Sequence, residues 1–518
     1  MIMERTKNAG RNIVFGIIQK IYAIIMPFVI RTAMIHVMGV QYLGVNGVFT
    51  SILSVLNLAE LGVGSAISYS LYKPIAEDDT RKIRALMALY KKYYRIIGIV
   101  ILVAGMAIVP VLPSMIKMDT VPQDVDIYIL YFLNLGATVL SYWLFAYKNA
   151  LIGAHQRGDI CSKISIASST ITYMLQLLVV CLVKNLYVFS AVVLLVGIIN
   201  NVITAIIADR MYPQYKPEGN LEKEEVRDIN KKVRDLFTSK IGGVVYNSAD
   251  TMVISAFLGM QVLAVYQNYF FVQRSIADVI QIVIMSCMAG IGNSLVVESK
   301  EKNYNDLNKF TFIINWISGF CMICLLNLYQ PFMELWTGPD LMLDFRVVIC
   351  IAIYFYVMRF NNLLNLYKDS GGMWREDRFR PLVCSLANLV VNLILVRYIG
   401  IYGVMLATVF SSVVIGMPWL LHNLFTVMFE RRYLKGYVLK ILKYVIVTVF
   451  MALLMQLICD KIVFTNLWIT FFVRGIVCAV VVNGIYYLMY RKTVEFKQSI
   501  VILNKLTKGK LAGVLDKL

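Results

Sequence analysis

The feature that most constrains this chain is a series of long apolar segments separated by short polar ones. A membrane-spanning helix requires about 20 mostly apolar residues, and this sequence of 518 residues contains about fourteen segments of that kind. They lie near residues 12–35, 45–72, 96–116, 127–147, 164–183, 186–208, 240–258, 263–297, 310–330, 345–366, 382–396, 401–427, 438–458 and 466–490. A composition of 59% hydrophobic and 16% charged residues favours the same solvent, the lipid bilayer. The sequence therefore predicts an all-α integral membrane protein with about fourteen transmembrane helices.

Basic residues alternate along the chain in a way that sets the orientation. Lysine and arginine are concentrated in every second connection and in both terminal segments, and the formal net charge is +19. The positive-inside rule places such segments in the cytoplasm. We therefore expect a multi-pass protein of the bacterial plasma membrane with both termini cytoplasmic and membrane lipids around it. Because the basic residues form no continuous stripe or arm, nucleic acid is not an expected partner.

The longest polar segment, residues 209–239, divides the chain into halves. We expect an N-terminal lobe of six helices in residues 1–208, a cytoplasmic linker in residues 209–239, and a C-terminal lobe of six helices in residues 240–430. Residues 431–518 then contain two further helices and a basic cytoplasmic tail.

A short internal match relates the two expected lobes. An offset of 220 residues pairs Gly39, Gln41, Leu43, Gly44 and Val45 with Gly259, Gln261, Leu263, Ala264 and Val265. Because six helices separate the two stretches, the lobes would share one orientation and be related by an axis along the membrane normal. Unless the match is a coincidence, it predicts two six-helix bundles around a central cavity, the architecture of alternating access, plus two C-terminal helices.

Charged residues inside the expected spans are candidates for a transport site, because each costs at least ~2.5 kcal/mol at membrane depth. The basic candidates for a cationic cavity are Lys20, Arg31, Arg274 and Arg359. Basic groups in a water-filled cavity suit an anionic cargo, since a guanidinium binds phosphate oxygens through two parallel hydrogen bonds. The expected cargo is therefore a phosphate-bearing or acidic solute.

The acidic candidates at membrane depth are Glu60, Asp250 and Asp278. We interpret Glu60 and Asp250 as counter-ions of the empty cavity, and the alternative is that they take up a proton or a sodium ion during transport. Asp278 follows Arg274 by four residues, so these two side chains can also neutralise each other on one helix face. Arg31 lies near the outer interface and can instead extend its guanidinium to the membrane surface.

Amide and tyrosine side chains gather where the first helix of each expected lobe leads into the second. They are Asn46, Tyr266, Gln267 and Asn268. Amide hydrogen-bonding groups beside aromatic faces are typical of sugar-binding sites. Hydrogen bonding between helices is the alternative interpretation of the same residues.

No motif indicates a cofactor, a metal site or catalysis. The three histidines, His36, His155 and His422, are far apart in sequence and give no support for a metal site. The phosphate loop GxxxxGK[ST] does not occur, which disfavours an ATP-driven pump. We expect a carrier with no cofactor, no metal site and no catalytic residue.

Several stretches resemble the polysaccharide-export branch of the MOP flippase superfamily, the Wzx type. The first is MGVQYLGVNGVFTSILSVLNLAELGVGSAISYSLY at residues 38–72, which is followed by KPIAEDD. The others are SADTMVISAFLG at 248–259, VYQNYFFV at 265–272, PFMELWTGPD at 331–340 and IGIYGVMLATVFSS at 399–412. Their order and spacing cover nearly the whole chain.

The resemblance implies two six-helix bundles plus two helices, and an activity. That activity is the flipping of a polyprenyl-diphosphate-linked oligosaccharide from the inner to the outer leaflet for cell-surface polysaccharide synthesis. It implies that a cationic cavity receives the diphosphate, for which Lys20, Arg31, Arg274 and Arg359 are candidates by helix position only. A polysaccharide polymerase and other assembly proteins are the partners that it implies.

Two other functions compete with a flippase. An ion-coupled multidrug or sodium antiporter of the same superfamily would share the fold, but it would favour acidic sites for cationic drugs, whereas basic residues are in excess at depth. A polysaccharide polymerase or a lipid-linked-sugar glycosyltransferase would need a large outer loop with catalytic residues. All expected outer loops of this chain are short.

Overall fold

The computed structural model describes residues 2–60, 63–155, 157–286, 288–373 and 375–506, in which every regular element is a helix. The chain divides into two compact units, unit 1 (Met1–Gln267) and unit 2 (Asn268–Leu518). The eleventh helix crosses the boundary between them.

The described part of unit 1 contains ten α-helices and the first residues of an eleventh. They are α1 (Ile2–Val37), α2 (Val40–Leu56), α3 (Val63–Ala76), α4 (Thr80–Ile108), α5 (Leu112–Met115), α6 (Ile127–Trp143), α7 (Lys148–Ala154), α8 (Gly158–Leu178), α9 (Leu186–Met211), α10 (Lys223–Phe257) and α11 (Met260–Ser286). Since α10 begins at Lys223, the second part of the expected linker 209–239 is helical.

Unit 2 contains the remainder of α11 and nine further helices. They are α12 (Met288–Val297), α13 (Lys300–Thr337), α14 (Phe345–Ser370), α15 (Arg380–Ile399), α16 (Ile401–Phe410), α17 (Met417–Val427), α18 (Leu434–Cys459), α19 (Leu467–Tyr490) and α20 (Val494–Leu506). The π-helical segment Ser411–Gly416 joins α16 to α17, and a second one, Val179–Val183, extends α8 in unit 1.

Polar residues at the expected outer ends of the spans explain where several helices begin. Asp126 accepts hydrogen bonds from the first backbone N–H groups of α6, and Asn185 does so for α9. Asp344 and Asn466 cap α14 and α19 in the same way. A side-chain oxygen at this position satisfies backbone N–H groups that have no partner within the helix.

The described helices confirm a multi-pass membrane protein. Ten of them are long and apolar enough to cross a bilayer, and the count is eleven if α6 and α7, bent by 53°, form one span. These helices correspond to eleven of the fourteen expected spans. The figure of fourteen stays a prediction.

The other three expected spans, 45–72, 240–258 and 263–297, contain no described helix that combines this length with this hydropathy. The first is interrupted, because α2 ends at Leu56 and a 3₁₀ turn, Asn57–Glu60, follows it. Expected site residues such as Asp250 and Arg274 lie in the other two. The polar residues for which we expected a transport path in these segments also lower their hydropathy.

The two turns that the internal match aligns have the same backbone geometry. Gly39 has a φ of 116° and Gly259 a φ of 91°, values that favour glycine. Each glycine donates its N–H to the carbonyl five residues earlier, Gly39 to Met34 at 3.0 Å and Gly259 to Ile254 at 3.1 Å. This helix ending is the same at both positions. A repeat that extends over two whole lobes stays a prediction.

Candidate functional site

Helix α2 packs closely on α10 and α11 along a line of small residues, which we call the α2 seam. A Cβ atom placed on Gly44 would lie 2.3 Å from the carbonyl oxygen of Met260. On Gly47 it would lie 2.1 Å from the side-chain amide of Gln267. Further toward the C-terminal end of α2, the hydroxyls of Ser54 and Ser248 are 2.9 Å apart. Small residues therefore let these helices approach at backbone distance.

Three of the expected sugar contacts lie in unit 1 along this seam. Gln267 packs on Gly47, and its buried Oε1 accepts no hydrogen bond from the described residues. The Tyr266 hydroxyl lies 3.5 Å from Oδ2 of Asp250, which is buried. Asn46 is half-buried on α2. A buried amide oxygen without a donor costs free energy unless a water or a ligand hydroxyl completes it.

Glu60 is enclosed by three tyrosines, which we call the tyrosine cage (Tyr90, Tyr94 and Tyr142). Tyr142 donates to Oε2 of Glu60 at 2.6 Å, and Tyr94 donates to Oε1. Tyr90 in turn donates to the Tyr94 hydroxyl at 3.1 Å. Among the described residues Glu60 forms no ion pair, so its hydrogen-bond donors are hydroxyls. Both carboxylate oxygens of Glu60 therefore accept a hydrogen bond from a tyrosine.

The two basic candidates of unit 1 lie on α1. Lys20 and Arg31 are both half-buried and eleven residues apart. Eleven residues make about three helical turns, so the two side chains leave the same face of α1 about 16 Å apart. Hydrogen bonds from Gln19 to Ser165 at 2.9 Å and from Tyr22 to Thr170 at 2.8 Å attach this part of α1 to α8.

The other basic candidates lie in unit 2, where Arg359 is the most buried of the four. It is 6% exposed, and its Nη1 donates to the carbonyl of Ala277 on α11 at 3.1 Å. Its guanidinium carbon lies 5.4 Å from the centre of the Phe355 ring. The buried Nε has no partner among the described residues. A guanidinium with an unused donor is able to accept an anion.

Arg274 and Asp278 lie one helical turn apart on α11, and their side chains differ in exposure to solvent. Arg274 is exposed, whereas Asp278 is half-buried. Asp278 directly follows Ala277, the residue whose carbonyl binds Arg359, and its charge acts on that guanidinium. Asp278 therefore has two cations in its neighbourhood instead of one. Asn268, the fourth expected sugar contact, is fully buried at the start of unit 2.

Two of the expected cations, Lys20 and Arg31, thus lie in unit 1, and the other two, Arg274 and Arg359, lie in unit 2. Sequence reasoning missed the tyrosine cage and the α2 seam. The spacing of Tyr90 and Tyr94 by four residues indicates a shared helix face. Nothing in the sequence links either residue to Glu60. The central cavity stays a prediction, as does every assigned site role.

No protein-family model matches the sequence, and no curated protein matches it. Solved structures match it in fold. One is the lipid II flippase MurJ in an inward closed conformation, at 14% identity and a TM-score of 0.67, covering 93% of this chain and 100% of that chain. A multidrug resistance MATE family transporter of the MOP superfamily, inward-facing, matches at 14% identity and a TM-score of 0.61, covering 81% of this chain and 96% of that one.

A third structure is described as a MOP superfamily transporter from Pyrococcus furiosus whose reversed binding-pocket polarity suggests a different function. It is 12% identical, with a TM-score of 0.55, and the match covers 82% of this chain and 96% of that chain. At these identities the comparisons establish one point, which is that this chain has the fold of MOP superfamily transporters.

Proposed function

We propose that this protein is a flippase that moves polyprenyl-diphosphate-linked oligosaccharides from the cytoplasmic to the outer leaflet by alternating access. The observation that carries the proposal is Arg359, a guanidinium in an expected span that is 6% exposed and keeps a buried Nε without a partner among the described residues. Burying such a donor is costly unless a cargo uses it. A phosphate oxygen is the ligand that suits it best.

Coverage of the fold supports a flippase over a multidrug transporter. The MurJ structure, described as a lipid II flippase, matches 93% of this chain, whereas the MATE transporter matches 81%. Lipid II is a lipid-linked molecule, as is the proposed cargo.

The energetics of the task also favour a basic pathway. An unpaired diphosphate in hydrocarbon would cost tens of kcal/mol, and a wet cavity with basic groups removes most of that cost. An anion that moves outward also follows a membrane potential that is negative inside, which contributes ~2.3 kcal/mol per charge per 100 mV. In this proposal Lys20, Arg31, Arg274 and Arg359 bind the diphosphate, and Asn46, Gln267, Tyr266 and Asn268 contact the sugar.

The proposal keeps the expected topology of lobes in residues 1–208 and 240–430, linker 209–239 and C-terminal segment 431–518. Both termini are then cytoplasmic in a bacterial plasma membrane, and a polysaccharide polymerase takes over the flipped cargo. Impermeant labelling of single cysteines placed in successive connections tests this topology.

The test of function is transport of a labelled polyprenyl-diphosphate oligosaccharide in proteoliposomes. We expect the wild type to expose the sugar on the far leaflet faster than empty liposomes do. Arg359→Gln should slow this rate at least ten-fold, which corresponds to about 1.4 kcal/mol. Arg397→Gln, a change in the last turn of α15 and outside the proposed site, is the matched control and should transport normally.

An ion-coupled multidrug or sodium antiporter is the second candidate, and the tyrosine cage favours it. A carboxylate whose partners are hydroxyls can take up a proton without breaking an ion pair. This candidate predicts efflux of a lipophilic cation driven by a proton or sodium gradient and abolished in Glu60→Gln. Such efflux, together with no flipping above empty liposomes, would overturn the flippase proposal.

A further inference from the structure

A short connection in unit 1 is hydrogen-bonded to the turn between α10 and α11. The Ser255 hydroxyl donates to the carbonyl of Met115 at 2.6 Å, and the N–H of Lys117 donates to the carbonyl of Ser255 at 3.2 Å. The N–H of Met260 donates to the Thr120 hydroxyl at 3.0 Å. We call these five residues the outer clamp. Our topology places it at the outer end of the chain's helices.

The outer clamp continues directly into the α2 seam. Met260 bonds Thr120 through its N–H, and its carbonyl oxygen is the group closest to Gly44. A Cβ on Gly259 would lie 2.8 Å from the Thr120 methyl group, so this side of the turn is also filled. The turn between α10 and α11 thus lies between Thr120 on one side and Gly44 of α2 on the other.

The expected lobes give this contact its importance. Met115, Thr120 and Gly44 belong to the expected first lobe, whereas Ser255 and Met260 belong to the expected second lobe. Under alternating access, contacts between lobes at one end of the molecule are broken and remade in each cycle. A contact built from loop hydrogen bonds and a glycine can separate, because water replaces the hydrogen bonds when it opens.

We propose that Thr120 and Ser255 are gating residues, which hold the outer end closed through the outer clamp and release it when cargo leaves. This inference rests on the proposed function for its place in a transport cycle. Opening would expose the face of α11 that carries Met260, Ala264 and Gln267, because these residues are spaced three and four apart. Ala264 is fully buried in the closed state.

The test uses Ala264→Cys as a reporter in a background in which the exposed Cys181 is replaced by serine. A membrane-impermeant maleimide added from the outside measures how often position 264 opens. The same background with Ala264 retained gives the signal of the remaining thiols. Thr120→Val removes the hydroxyl of the clamp at nearly constant volume, and Gly44→Ala places a methyl group against the carbonyl of Met260.

We expect Thr120→Val and Gly44→Ala each to raise the labelling rate of the reporter thiol at least three-fold. Thr120→Ser keeps the hydroxyl and should restore the wild-type rate. Gly136→Ala is the matched control, since a Cβ there meets no atom within 4 Å, and it should change nothing. If Gly44→Ala does not fold, the pair Thr120→Val and Thr120→Ser still decides the question.

Unchanged labelling in Thr120→Val and Gly44→Ala, with thermal stability lowered, would overturn the inference, because it would show a permanent core contact. The labelling assay contains no cargo, so its outcome is independent of the flippase assay. If the wild type does not flip the labelled oligosaccharide but Thr120→Val raises the labelling rate, only the proposed cargo is refuted. If the wild type flips the labelled oligosaccharide but Thr120→Val leaves the labelling rate unchanged, only the gating role of the outer clamp is refuted.

Discussion

Two helix contacts, one in each unit, are packed in different ways. Along the α2 seam of unit 1, Gly44 lies against the backbone of Met260, and Ser54 lies against Ser248. In unit 2, rings from α13, α18, α19 and α20 interleave in what we call the aromatic cluster. Its ring pairs include Trp316 with Phe496 at 5.7 Å and Phe312 with Tyr490 at 5.3 Å.

A chain of buried hydroxyls strengthens the aromatic cluster. Tyr356 donates to Asn315 at 2.7 Å, the hydroxyls of Tyr356 and Thr448 are 3.3 Å apart, and those of Thr448 and Tyr486 are 3.0 Å apart. Lipid is as apolar as the side chains, so membrane helices associate through packing and hydrogen bonds. The difference teaches that α18 and α19 are firmly packed within unit 2. The α2 seam is, by comparison, the contact suited to separation.

The largest expected effect comes from Gly319→Ala in the aromatic cluster. The new methyl group would lie 2.5 Å from the hydroxyl of Tyr486, which is fully buried and bonded to Thr448. Overpacking of this kind costs about 1–3 kcal/mol, so the thermal unfolding temperature should fall. Gly484→Ala, where a Cβ meets nothing, is the control. Addition of Tyr486→Phe should recover part of the loss, and an unchanged unfolding temperature in Gly319→Ala would contradict a rigid cluster.

Thr448→Val tests the hydroxyl chain with a smaller effect. The change keeps the side-chain volume and removes the hydrogen-bond partner that Tyr356 and Tyr486 share. A lost hydrogen bond of this type costs about 1 kcal/mol, measurable by thermal or denaturant unfolding in detergent. Thr50→Val, whose exposed hydroxyl bonds the carbonyl of Asn46, should be close to neutral. Equal losses of stability in Thr448→Val and Thr50→Val would show that the chain of buried hydroxyls contributes no more than an exposed hydrogen bond.

A double-mutant cycle of Ser54→Ala and Ser248→Ala measures the corresponding bond in the seam. Hydrogen bonds between membrane helices average ~0.6 kcal/mol in such cycles, and we expect a coupling of that size. A coupling above about 1.5 kcal/mol would show a seam held as firmly as the aromatic cluster. The seam would then be a poor candidate for separation.

The smallest expected effect depends on pH and concerns α20. Burial of Glu495 opposes its ionisation, but the hydrogen bond and charge of Lys440 at 2.6 Å outweigh this and lower the pKa of Glu495. A lowered pKa means that the pair stabilises the folded state fully above the ordinary pKa of glutamate. The contribution is lost as the pH falls through the lowered value. We expect about 0.5 kcal/mol, seen as a stability gap between wild type and Glu495→Gln that closes in acid. A gap that persists in acid would assign the effect to packing.

The sequence predicted the broad fold because hydropathy is a local property. Ten spans, or eleven with the bent pair, lie where apolar segments were expected. The segments that carry Glu60, Asp250 and Arg274 are not among these spans, since polar residues shorten the apolar runs there. The equivalence of Gly39 and Gly259 was visible in the sequence, and their shared positive φ agrees with it.

Partners of the candidate residues were not predictable. Glu60 meets Tyr94 and Tyr142, which are 34 and 82 residues away in sequence. Arg359 binds the carbonyl of Ala277 across 82 residues. The sequence predicted both charges at membrane depth, and it could not tell that Glu60 accepts hydrogen bonds from hydroxyls and that Arg359 lies beside an aromatic ring. The i, i+4 spacing of Arg274 and Asp278 was likewise visible, whereas the approach of Arg359 to that site was not.

The sequence by itself determined that this chain enters the membrane many times, and it named the charges that the membrane makes costly. The tertiary structure decided which helices approach at backbone distance, which carboxylate meets hydroxyls and which guanidinium keeps a donor that no described residue uses. The physical reason is the separation along the sequence between the residues that determine each property. Transfer into lipid depends on about 20 consecutive residues, whereas packing and hydrogen bonding join residues that lie far apart along the chain.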